Sequence, residues 1–141
     1  MIRYELLEEL NSFLFRASSA TYAGSGQEVV PQRPGFTELE YHEEDWHYRD
    51  SYGGHYQSWG QETVWHRDLL AWTQLYGGGL PKLHHGNQNL AHETFSFLKR
   101  AFLHDKDEKA FRPRGPRKFS DGIWRYEAKW IGDIIKFRGE E

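Results

Sequence analysis

Cysteine is absent from this 141-residue chain, and methionine occurs once. Disulfides and thiolate metal ligands are thereby excluded, while the redox compartment stays open. Long apolar runs are also missing. None approaches the roughly 20 residues that span a bilayer, and mean hydropathy is −0.86. The first residues, Met1-Ile2-Arg3-Tyr4-Glu5, are too acidic and too interrupted for a signal peptide. A soluble, cytoplasmic protein is the default expectation. The formal net charge is only −3, which makes no global field to attract nucleic acid. There is no P-loop, no G-x-S-x-G, no complete dinucleotide fingerprint and no cysteine nucleophile, so no cofactor is expected, and nucleotide hydrolysis or serine or cysteine catalysis is disfavoured.

What the chain has is aromatic residues, at 16%, with a hydropathy too low for an aliphatic core. Trp, Tyr and Phe are expected to build the interior. They fall in a pattern: Trp46-x-Tyr48-x-Asp50-x-Tyr52 returns as Trp124-x-Tyr126-x-Ala128-x-Trp130. Alternation with period two puts each set on one face of a strand. Upstream, Ser12-Phe13-Leu14-x-Arg16-Ala17 matches Ser96-Phe97-Leu98-x-Arg100-Ala101. Downstream, Gly54 and Trp59-Gly60-Gln61-Glu62 match Gly132 and, with one inserted residue, Phe137-Arg138-Gly139-Glu140-Glu141. Matches in one order argue for duplication: a first copy over about 3–79 and a second over about 89–141, within one domain spanning 1–141. The second copy stops after its Gly-Glu-Glu, so a full-length relative is expected to continue for about two more strands.

The periodicity of Leu6, Leu7, Leu10, Phe13, Leu14 and Ala17 predicts a helix over about 3–17. A Ser-, Gly- and Pro-rich loop over 18–35 follows, containing Thr21-Tyr22-Ala23-Gly24-Ser25-Gly26. Strands are expected at about 37–42, 46–52, 57–66 and 69–76, with turns near Glu43-Glu44, Gly53-Gly54 and Arg67-Asp68. Gly77-Gly78-Gly79 is expected to break the sheet. Asn89 is expected to cap a second helix over about 90–104, with Leu90, Ala91, Phe95, Leu98 and Phe102 on its inner face. A charged connector leads to strands at about 122–130 and 133–138. The expected fold is α+β: a tandem α-ββββ repeat with its second copy cut to α-ββ, forming one curved antiparallel sheet with two helices packed on it.

The run Ala20-Thr21-Tyr22-Ala23-Gly24, then Arg33-Pro34, Leu39-x-Tyr41, Asp50-Ser51-Tyr52-x-Gly54, Gly60-x-Glu62-x-Val64-Trp65 and Trp72-x-x-x-Tyr76-x-Gly78 resembles the bacterial family of the domain of unknown function 5680. The resemblance covers most of the chain. It implies the fold, and a domain that stands alone or follows a helix-turn-helix DNA-binding module. It implies no particular chemistry.

Asp50 is the foremost site candidate, because its counterpart in the second copy is Ala128. A carboxylate among Trp46, Tyr48 and Tyr52 would be poorly solvated, which raises its pKa and suits an acid, a base or a ligand anchor. The bland alternative is a buried acceptor for a Tyr hydroxyl. Glu62 is kept in both copies, which favours a structural role tying the strands. Arg33 would hold an anion bidentately or pair with Glu28 or Glu38. Among eight histidines, His84-His85 are adjacent and diverge. His92-Glu93 begins like a zinc-protease helix, but Ser96 stands where the second ligand belongs. His42, His47, His55 and His66 lie on or beside hairpins. No trio has metal-ligand spacing along the chain, so no metal is expected. The basic cluster Arg112 to Lys118 follows acidic residues and reads as a solvated connector.

Three functional readings fit. In the first, a small molecule sits in a pocket walled by Trp46, Tyr48, Tyr52, Trp72 and Tyr76 beside the Tyr22 loop, oriented by Asp50 and Arg33, with Glu62 close by. In the second, the domain is a cofactor-free acid/base enzyme (isomerase, dehydratase or hydrolase) with Asp50 as base and Tyr22 or Tyr48 as proton donor. In the third, the aromatics are all core and the partner is a protein or a second copy docked on an open sheet edge. The expected partner is a small-molecule ligand, with a homodimer as the other arrangement; neither nucleic acid nor a membrane is expected.

Overall fold

In a computed structural model the described residues are 2–22 and 27–141. Helix α1 spans Leu7–Tyr22 and buries Leu10, Phe13 and Ala17, the stripe its periodicity predicts. It runs five residues past the expected end. Ser18, Ser19 and Thr21 turn their hydroxyls back onto carbonyls three or four residues earlier, and Tyr22 packs on Phe102 with ring centroids 4.9 Å apart. Tertiary packing thus carries the helix through residues of weak propensity. Tyr22 is the last residue of a helix and not part of a loop. Residues 23–26, including Gly24 and Gly26, lie outside the described residues.

Five strands make one antiparallel sheet in sequence order: β1 (Gln27–Val29), β2 (Thr37–Glu43), β3 (Trp46–Gly54), β4 (Gln57–His66) and β5 (Leu69–Gly79). β1 forms inside the stretch expected to be loop. β5 continues through Gly77-Gly78-Gly79, because its backbone keeps pairing with β4, Gly77 opposite Trp59 and Gly79 opposite Gln57. Arg67 and Asp68 both adopt positive φ, as a tight two-residue hairpin turn requires.

Helix α2 spans Gln88–Leu103. Asn87, not Asn89, is its N-cap, accepting the Leu90 N–H at 3.0 Å. Its buried stripe is Ala91, Phe97, Ala101 and Phe102, so Phe97 takes the place expected for Phe95. The expected strand over 122–130 is split. β7 (Trp124–Glu127) pairs with β6 (Lys118–Asp121), and β8 (Lys129–Gly132) pairs with β9 (Phe137–Glu140). The break falls at Ala128, whose N–H donates to Arg117 O at 3.0 Å.

The architecture is α+β, with two cores among the described residues. Leu10, Phe13, Ala17, Trp46, Tyr48, Val64 and Ile134 join α1 to the large sheet. Phe97, Ala101, Phe102, Tyr126 and Ala128 join α2 to the smaller hairpins. Each large side chain fully buried this way contributes about 1.5–3 kcal/mol. No helix among the described residues is long and apolar enough to cross a membrane.

Candidate functional site

The face of the large sheet under α1 carries rows of side chains set by strand register. Tyr41, Tyr48, Val64 and Trp72 form one row, and Thr37, Tyr52, Gly60 and Tyr76 another. Between them runs Leu39, Asp50, Glu62 and Gln74, in register across β2 to β5. Two carboxylates therefore stand directly opposite each other on neighbouring strands, and each residue is only 4% exposed. Like charges so placed repel, and burial removes the water that would separate them.

Tyrosine hydroxyls supply what water does not. Tyr22 and Tyr48 both donate to Glu62 Oε1, at 2.8 and 2.9 Å. Tyr76 donates to Asp50 Oδ1 at 2.7 Å. That last bond crosses a strand, and Gly60 makes room for it: a Cβ there would lie 2.3 Å from the Tyr76 ring. Gln74 closes the row by donating to Pro113 O at 3.2 Å.

Desolvation, then the neighbouring Glu62, raises the Asp50 pKa to about 7, against opposing pulls from Tyr76 and Arg114. Burial likewise raises Glu62, opposed by Arg114 and the two phenols. The two acids titrate as a pair, which holds a proton up to near neutral pH. Tyr22 and Tyr48 are pushed well up by burial and by Glu62, so they stay hydroxyl donors.

Above Glu62 lies a cavity of about 50 Å³, lined by Tyr22, Tyr48, Trp72 and Gln74 and roofed by the connector Lys106 to Arg114. The connector is strapped to α1: Asn11 donates to Glu108 O at 2.9 Å, Arg16 pairs with Glu108 at 2.7 Å, and Lys106 donates to Phe15 O and Ser18 Oγ at 3.1 and 2.6 Å. Burial, then Arg112, lowers the Lys106 pKa to about 8. Arg112 caps α2 through the carbonyls of Phe102 and His104, while its buried Nε finds no partner among the described residues. The Arg114 guanidinium lies over the rings of Tyr76 and Phe102, 4.3 and 4.6 Å from their centroids, and pairs with Glu141 at 2.8 Å.

Of the residues singled out in the sequence, Tyr22 and Tyr48 gather on Glu62 and Tyr76 on Asp50, two hydrogen-bonded groups held side by side by the Asp50–Glu62 pairing, with Trp72 in the cavity wall. Trp46 is not part of it; it stacks on Phe13 in the core, centroids 5.5 Å apart. Tyr52 flanks Asp50 one row away and is not in the cavity wall. Arg33 lies on the other face, where it donates to Ser51 Oγ at 2.9 Å and covers the Phe36 ring at 4.0 Å. Ser51 follows Asp50 in an alternating strand, so a residue bound to Ser51 is on the wrong side to orient anything at Asp50. The sequence reading missed Arg112, Arg114 and Lys106, placing the first two in a solvated connector. Arg114, set between Pro113 and Pro116, was the available signal.

No curated protein and no solved structure matches the chain. One family does. The model of the domain of unknown function 5680 matches residues 50–141, well over half of the chain and including Asp50, Glu62, Gln74, Tyr76 and the whole connector, and the chain belongs to that family.

Proposed function

We propose that the domain binds a small anionic molecule, of the carboxylate class, in the cavity over Glu62. One observation carries this reading: the wall holds three cations, Lys106, Arg112 and Arg114, against Glu62 and Asp107, and the buried Nε of Arg112 has no acceptor among the described residues. A buried donor without a partner costs about 1–3 kcal/mol, which an oxyanion in the cavity would relieve. The size limits the occupant. A cavity of about 150 Å³ takes a benzene, so this one suits a group of about two to four heavy atoms. Glu62, with Tyr22 and Tyr48 on its Oε1, offers the polar end opposite the cations.

A sensing role, in the cytoplasm, belongs to the same reading; it follows by analogy from the helix-turn-helix fusions that the resemblance implies. Duplication belongs to it too. Gly54 and Gly132 both adopt positive φ and approach a carbonyl, Gln57 O and Lys136 O, in the same manner, which supports common descent of the two halves and makes Asp50 a departure of one half.

Two other readings keep a specific observation each. The acid/base reading now rests on Glu62, because Glu62 lines the cavity and Asp50 does not. The interaction reading rests on β5, an end strand of the sheet on which Leu69, Leu70 and Leu75 are exposed.

Sodium acetate titrated against acetamide, at matched ionic strength and followed by amide NMR, tests the main reading. Saturable shifts at Lys106, Arg112 and Arg114 with acetate alone are expected, and Lys106→Gln is expected to weaken them. Equal responses to acetamide or chloride, or shifts scattered over the surface, would contradict it.

A further inference from the structure

On the sheet face opposite the cavity, the β2–β3 hairpin brings together three side chains that lie apart in the sequence. His42 and His47 are direct cross-strand partners. Glu40, two residues before His42, shares their face. We propose that Glu40, His42 and His47 form a binding site for a divalent transition metal of the zinc class.

The donor atoms are already spaced as ligands. His42 Nε2 lies 3.4 Å from Glu40 Oε2, His47 Nε2 lies 3.2 Å from Glu40 Oε1, and all three groups fall within 4.8 Å of one another. Tetrahedral zinc with bonds of about 2.0–2.1 Å has ligand-to-ligand edges of about 3.3 Å. Two imidazoles and one carboxylate leave the fourth position to water, the composition of an open zinc site.

The surroundings hold two ligands and leave one free to adjust. The His47 ring stacks on Trp65, centroids 4.9 Å apart at 27°. Arg49 holds the Glu40 carboxylate through Oε1 and lies 3.0 Å from Glu38 Oε2, an outer partner that orients a ligating group. The charges of Glu38, Glu40 and Arg49 leave one net negative charge beside the imidazoles. His42, whose side chain is 62% exposed, stacks on His47 at 4.0 Å and 12°. Parallel rings cannot aim both lone pairs at one ion. The soft torsion at the His42 ring lets it swing to meet the ion.

Neither the residue spacing in the chain nor the family carries this site: positions 40, 42 and 47 make sense only once the hairpin closes. It is also independent of the cavity, so each reading survives the failure of the other.

The test is zinc chloride titrated into tag-free protein, by calorimetry and by side-chain ¹H–¹⁵N spectra of the histidines. One ion per chain is expected, with the Nε2 resonances of His42 and His47 moving together. His42→Ala and His47→Ala are each expected to weaken binding at least about tenfold, while His84→Ala/His85→Ala keeps it. No saturable uptake up to about 1 mM zinc, or uptake that survives His42→Ala/His47→Ala, would overturn the proposal. Should those variants fail to fold, the wild-type spectra decide: zinc that leaves either Nε2 unmoved overturns it as well.

Discussion

Phe13 stacks on Trp46 with centroids 5.5 Å apart, and Phe97 stacks on Trp124 at 5.5 Å. Ala17 and Ala101 are both fully buried beside them. Tyr48 donates to Glu62, and Tyr126 donates to Glu141. To this point the two halves of the molecule use the same contacts. They part at the next alternate residue, where β3 has Asp50 and the β7–β8 break has Ala128. In the second half one acid, Glu141, meets one phenol and one guanidinium, Arg114, and its charge is closed. In the first half two acids stand opposite each other, with three phenols and a share of Arg114. The difference lies in the surplus carboxylate. One acid per half is enough to tie strands together; the second acid holds a proton near neutrality, and that is what sets the first half apart.

Converting the second half into the first gives the largest expected effect. Ala128→Asp places an acid at a buried position with no tyrosine paired to it, and should cost about 3 kcal/mol or more in urea denaturation. A cost under about 1 kcal/mol would mean that this position tolerates an acid and that the two halves differ less than their contacts suggest. Gly60→Ala comes next. The added Cβ meets the Tyr76 ring, so the Tyr76–Asp50 bond must break or β4 must shift, at about 2–3 kcal/mol. Arg114→Met links the halves: losing the guanidinium over two rings and beside Glu141 should cost about 2 kcal/mol. It should also raise the Asp50 and Glu62 pKa values further, since Arg114 holds both down.

The pH dependence of stability is smaller but more specific. Asp50 titrates at about 7 in the folded chain and at about 3.9 unfolded, so the folded state keeps a proton that the unfolded state releases. Its stabilising contribution is complete below about pH 4 and is lost as pH rises through about 7, with a slope of up to about 1.4 kcal/mol per pH unit. Asp50→Asn should flatten that slope. The smallest effect belongs to Arg33→Ala. On the opposite face it should change stability by less than about 1 kcal/mol and leave acetate binding unchanged; a loss of binding would return Arg33 to the site.

How much of this the sequence disclosed depends on the range of the interaction. Alternation put Trp46, Tyr48, Asp50 and Tyr52 on one face because period two is a local property. The Asp50–Glu62 pairing was not legible, because register depends on where the hairpin turns. A turn centred on Gly53-Gly54 would set Asp50 opposite Gln57; the chain bends at His55-Tyr56, and Glu62 arrives instead. Arg33 was misplaced for a related reason: its loop crosses to the Ser51 face, and no local pattern reports that. Lys106, Arg112 and Arg114 were hidden because Asn11 and Arg16, some ninety residues away, decide where the connector lies. Helix α1 ran past its expected end for the same kind of reason, since Phe102 holds Tyr22.

The central claim is that the Asp50–Glu62 pair keeps one proton up to near neutral pH. Carboxyl-carbon NMR titration of the wild-type chain, with Glu62→Gln beside it, tests this directly. The account predicts that one carboxyl of the pair stays protonated up to about pH 7, and that Asp50 moves back toward about 3.9 when Glu62 is neutralised. Two carboxyls that both ionise by about pH 4.5, with Asp50 unmoved in Glu62→Gln, would make the row an ordinary set of hydrogen-bond acceptors and remove the distinction between the halves.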